Sequence, residues 1–154
     1  MLELGFLHIV QWLLTPVLVL LACALAYALW MTGVVAMEAW QRRVRGFALL
    51  RGVDALTLEE LELQALARVE PLRLLSRVTP MLGLIATMIP LGPALQSVAH
   101  GDGRAALSVF SGAFAGVVLA LTAASLGLVL HSVRRRWLLA ELLAVKRARA
   151  QEGA

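Results

Sequence analysis

From Thr79 to Ala99 the chain carries no charged residue, yet the stretch holds Thr79, Thr87 and Ser97, Gly83 and Gly92, and Pro80, Pro90 and Pro93. It is long enough to cross a bilayer, which takes about 20 apolar residues at helical rise. Prolines inside a span free backbone carbonyls, and these have to be satisfied by neighbouring helices or by water. A lipid-facing anchor needs no such features, so the stretch reads as a wall of a pore or as a helix-packing seam.

The composition agrees with a membrane setting. Of the 154 residues 60% are hydrophobic, and the mean hydropathy is +0.82, well outside the range of a soluble globular domain. The formal charge of +4 does not point to nucleic acid, because the basic residues flank apolar spans and form no patch interleaved with stacking aromatics. Cys23 is the only cysteine, so no intrachain disulfide forms. The N-terminus does not read as a cleavable signal, since Glu3 stands where a basic region belongs and the uncharged run from Leu4 to Met37 is too long.

The fold class predicted is an all-α membrane protein with three transmembrane helices, a helical cytoplasmic loop and a C-terminal helical extension. Residues 1–37 hold the N-terminus and the first span, roughly Leu13 to Val35, with Trp12, Trp30 and Trp40 near its ends, where indoles favour the interface. Pro16 is expected in its first turn. Residues 38–77 form the amphipathic loop, with Thr57 and Glu60 as a capping box and Leu58, Leu61, Ala65, Leu66, Val69 and Leu72 at helical spacing. That helix is expected over Leu56 to Glu70, ending or kinking at Pro71. Residues 78–133 form a hairpin of the second and third spans across the glycine-rich His100–Arg104 turn. Residues 134–154 form a helical tail. Only Arg104 of the 14 Lys and Arg lies outside the loop and the tail, so the positive-inside rule makes the protein N-out and C-in.

No enzyme constellation is present. His8, His100 and His131 are scattered without a Cys or carboxylate cluster of metal-ligand spacing, and neither GxSxG nor a Walker A motif occurs. No catalytic residue, metal or cofactor is expected. What the spans offer is hydroxyls. Thr79, Gly83 and Thr87 stand at i, i+4 and i+8 on the second span, and Ser108, Ser111, Ala115, Val118, Thr122 and Ser125 repeat at threes and fours on the third. Gly112 and Gly116 form a GxxxG beside that stripe. Two antiparallel helices with such stripes line a narrow wet path or grip a partner helix.

The run Thr79-Pro80-Met81-Leu82-Gly83-Leu84-Ile85-Ala86-Thr87 resembles the opening of the second span in the MotA/TolQ/ExbB proton-channel family, where a Pro, a Gly-Leu and a pore-facing Thr recur. The third span, with its small residues, Thr122 and Gly127-Leu128, resembles the last span of that family. The resemblance is specific over residues 79–128 and architectural elsewhere. It implies a homopentamer in the inner membrane, surrounding the single spans of a dimeric ExbD, TolR or MotB-like partner that carries an aspartate. It also implies a stator role in which proton or sodium flow drives work. Thr87 matches the pore threonine, and Thr122 or Ser125 the polar residue of the third span. Thr79, Gly83, Thr87, Ser111, Ala115, Thr122 and Ser125 are the expected path lining. Pro80, Pro90, Pro93, Gly112, Gly116 and Gly127 are expected to shape and pack the helices. The chain departs from TolQ and ExbB in having no acid in the third span, where Leu119 stands near the family's glutamate, so the titrating carboxylate has to come from the partner. Membrane lipid is the remaining expected partner, and nucleic acid is not one. The alternative reading is a non-conducting membrane scaffold or assembly subunit.

Overall fold

The computed structural model describes residues 2–45, 50 and 56–152. The parts of the expected loop at 46–49 and 51–55, the end of the tail at 153–154, and the His8 side chain lie outside the described residues. Three helices account for the fold: α1 (Leu2–Arg45), α2 (Leu58–Ala99) and α3 (Gly103–Glu152). All three are long and apolar enough to cross a membrane. The 50 residues of α3 extend roughly 75 Å at helical rise, against a hydrocarbon layer of about 30 Å. Among the described residues the regular structure is all helical, and the chain is a multi-pass membrane protein whose helices continue beyond the apolar zone.

Local chemistry sets the ends of α2 and the start of α3. Thr57 caps α2: its Oγ1 accepts from Glu60 N at 3.3 Å, while Glu60 Oε2 accepts from Thr57 N at 2.8 Å. Two orphan donors are thereby satisfied reciprocally. At the other end only His100, Gly101 and Asp102 separate α2 from α3, and Gly101 adopts φ +80, which a side chain would strain. Asp102 then caps α3, its Oδ1 accepting from Ala105 N at 3.1 Å. So short a turn makes α2 and α3 an antiparallel hairpin.

Two sequence expectations are corrected. Pro71 does not end a separate loop helix: α2 is one helix of 42 residues, running through Pro71, Pro80, Pro90 and Pro93. A proline in a helix interior costs about 3 kcal/mol in isolation, and here Val69 and Leu72 are buried on either side of Pro71. Pro16 likewise sits well inside α1 and not in its first turn.

The core is a column of three clusters, and its chemistry changes along its length. Toward the loop end, Leu61 and Val69 of α2 pack with Leu138 and Leu142 of α3 and with Leu50. Each leucine buried there contributes about 1.5–3 kcal/mol, because water is what it leaves. Val35, Leu72 and Leu130 form the next cluster. Deeper in the apolar zone Val17, Leu21, Ala86 and Ala120 meet, with Gly83 against Ala120 and Gly116 against Ala86. Lipid is as apolar as leucine, so close backbone approach through small residues replaces burial as the packing force.

Charged contacts tie α1 to α3 at the boundary between these zones. Arg134 Nη2 donates to Glu38 Oε1 at 2.6 Å, and both side chains are largely buried. Arg42 pairs with Glu141 and lies 4.8 Å from the Trp137 ring centroid. Glu141 Oε2 also accepts from Leu50 N at 2.9 Å. These contacts explain why α1 continues past Glu38 to Arg45 where the composition suggested a loop. Further out, Lys146 Nζ donates to Glu62 Oε1 at 2.5 Å, and Arg149 Nη2 donates to the Leu56 carbonyl at 2.7 Å.

Candidate functional site

The hydroxyl-bearing rows of α2 and α3 do not face each other within one chain. Thr79 is buried, with only 1% of its surface accessible, and its Oγ1 donates to the Leu75 carbonyl at 2.6 Å. Gly83 follows on the same face, where an added Cβ would lie 2.5 Å from Ala120 Cβ. Both residues therefore belong to the α2–α3 contact. Thr87 is half-buried, and its Oγ1 donates to the Leu84 carbonyl at 2.8 Å. Eight residues at about 100° each turn Thr87 roughly 80° from Thr79, which carries it to the rim of the seam.

On α3 the row Ser108, Ser111, Ala115, Val118, Thr122 and Ser125 is exposed along its whole length. The packed face of the same helix is Gly116, Ala120, Ala123 and Gly127. Thr122 is two residues from Ala120, about 200° around the helix, so the row looks away from α2. Ser108 Oγ donates to the Ala105 carbonyl at 2.8 Å, Ser111 Oγ to Ser108 at 2.9 Å, and Thr122 Oγ1 to Val118 at 2.7 Å. Each of these hydroxyls is satisfied by its own helix while keeping its oxygen lone pairs available.

The packing residues divide. Gly116 meets Ala86 Cβ at 3.6 Å and Leu18 Cδ2 at 3.9 Å, counted from an added Cβ, and Gly127 meets Leu75 Cδ2 at 3.1 Å. Gly112 meets nothing within 4 Å, so the expected GxxxG is not the seam. The seam is Gly116, Ala120 and Gly127 of α3 against Ala86, Gly83 and Leu75 of α2. Pro80, Pro90 and Pro93 remain inside the continuous α2. Having no N–H, they leave the Ser76, Ala86 and Ile89 carbonyls without the usual donor.

Sequence reasoning also missed the boundary contacts. His131 Nδ1 donates to the Val69 carbonyl at 3.1 Å across the two helices, a pairing no local pattern signals. Among the described residues no group of three or more His, Cys, Asp and Glu side chains gathers as a metal site would require. No family model, curated protein or solved structure matches the chain.

Proposed function

We propose that this chain is a channel or stator subunit of an inner-membrane complex that couples proton or sodium flow to work through a single-span partner bearing a titrating aspartate. The observation that supports this reading is the exposed row Ser108, Ser111, Ala115, Thr122 and Ser125, a small and weakly polar face in an otherwise Leu-, Val- and Phe-rich span. Lipid gains nothing from hydroxyls, whereas a partner helix or a file of water does. Several copies, five by the family resemblance, would turn this face inward around the partner. Thr87, at the rim of the seam, would hydrogen-bond beside the partner carboxylate. Residues 78–99 and 105–131 contain no acid, so the proton carrier in this reading is the partner's. One charge crossing about 100 mV releases about 2.3 kcal/mol, and a few ions suffice for a mechanical step. The Lys and Arg distribution supports an N-out, C-in orientation.

A scaffold reading also has a specific observation in its favour. Thr79 and Gly83 are spent on the α2–α3 contact, which is what packing alone requires. Native mass spectrometry of the complex purified from its own membrane separates the two. Five copies with two of an aspartate-bearing single-span protein are the expected result. Equal copy numbers, or an oligomer without such a partner, would overturn the stator reading in favour of the scaffold.

A further inference from the structure

Between α2 and α3, just beyond the charge-free stretches, lies a cleft of about 670 Å³. Arg73, Arg135 and His131 line it together with Glu70, Ala67 and Leu66. Among the described residues neither Arg73 nor Arg135 enters an ion pair. The cleft thus presents two free guanidiniums against one carboxylate, a net positive charge even with His131 neutral. The His131 to Val69 bond joins the two helices beside it.

Depth decides what kind of anion meets those guanidiniums. Arg73 precedes the apolar stretch at Val78 by five residues, and Arg135 follows its end at His131 by four. At helical rise both lie roughly 6–8 Å outside the hydrocarbon, within a headgroup layer that is itself roughly 5–8 Å thick. Above Arg73 the same face of α2 continues through Arg77, Met81 and Leu84, and all three are exposed. Beyond Arg77, Met81 and Leu84 give an acyl chain an apolar track. The cleft also supplies acceptors: the Glu70 carboxylate, and the Ala67 carbonyl, for which Pro71 has no N–H to give.

We propose that this cleft binds the headgroup of an anionic phospholipid of the phosphatidylglycerol type. Arg73 and Arg135 hold the phosphodiester, and Glu70 and the Ala67 carbonyl accept from the headgroup hydroxyls. Basic pockets between membrane helices at the aqueous boundary are suited to such headgroups. The site is independent of the ion-path reading, because it uses none of its residues.

The test is a lipid titration of the detergent-purified protein by native mass spectrometry, with phosphatidylglycerol, phosphatidylcholine and inorganic phosphate as the probes. Phosphatidylglycerol is expected to be retained in preference to the other two. Each of R73Q and R135Q is expected to weaken it about fivefold, with circular dichroism unchanged because both side chains are exposed. R73K/R135K, which keeps the charge, is expected to keep the preference, and R104Q at the opposite end is expected to be neutral. Four results would each overturn the proposal: unaltered binding in R73Q/R135Q, an equal loss in R104Q, loss of preference in R73K/R135K, or phosphatidylcholine or inorganic phosphate binding as well as phosphatidylglycerol.

Discussion

Gly83 and Ala120 set the distance between α2 and α3, since a Cβ at position 83 would stand 2.5 Å from the Ala120 Cβ. No pair of side chains tolerates that separation, so G83A has to push the helices apart. Overpacking of this kind costs about 1–3 kcal/mol. G112A, in open space, is expected to be neutral or to gain up to about 1 kcal/mol from helix propensity. Unfolding of the purified protein in detergent, followed by circular dichroism, reads both variants, and equal behaviour would refute the seam.

The Glu38–Arg134 pair joins helices almost a hundred residues apart in sequence, with the two side chains 14% and 12% exposed. Either E38Q or R134Q is expected to destabilise the protein by about 1.5–3 kcal/mol, the range for a hydrogen bond to a charged group. The double variant is expected to cost less than the sum of the singles, because each single strands the other's charge. Strict additivity in a double-mutant cycle would show that the two groups do not interact.

Glu60 titrates below the ordinary carboxylate range because the Thr57 backbone N–H, and secondarily its hydroxyl, donate to it. A folded-state value below the unfolded one makes the cap's contribution complete above the ordinary carboxylate pKa. That contribution is lost as pH falls through the lowered value. The side chain is fully exposed, so the effect is local to the first turn of α2. Carboxyl-carbon NMR of Glu60 should give a midpoint below the usual carboxylate value in the wild type. In T57A, which loses the hydroxyl but keeps the larger backbone contribution, the midpoint should rise part of the way back. No movement in T57A would remove the hydroxyl from the account.

Thr87 and Thr79 are chemically alike and differ in burial, so under the proposed channel function substitutions at the two positions should separate transport from folding. T87V is expected to lower partner-dependent ion flux in proteoliposomes about tenfold, the equivalent of one hydrogen bond, with little change in stability. T79V, in the seam, is expected to lower stability. Unchanged flux in T87V would remove Thr87 from the ion path.

The features legible in the sequence were the ones determined locally. Charge-free length marked the spans, Thr57 and Glu60 declared the cap of α2, and the glycines around Asp102 marked the hairpin. Helical spacing of Leu61, Val69 and Leu72 marked a buried stripe, but not its partners, Leu138 and Leu142, which lie far along the chain. The continuity of α2 through Pro71 was illegible for the same reason, because packing against α3 outweighs a strong local breaker. The serines and threonines of α3 drew attention as its special face. Small size proved to matter more for packing than hydroxyl content, so Gly116, Ala120 and Gly127 took the seam and left the hydroxyls outside.

The continuity of α2 from Leu58 to Ala99 has a mechanical consequence. Forty-two residues, roughly 63 Å at helical rise, join its membrane half to its aqueous half with no intervening loop. The membrane half of α2 thus runs directly into Leu61 and Glu62, which meet Leu138, Leu142 and Lys146 of the α3 tail, and a shift of either half carries the other with it.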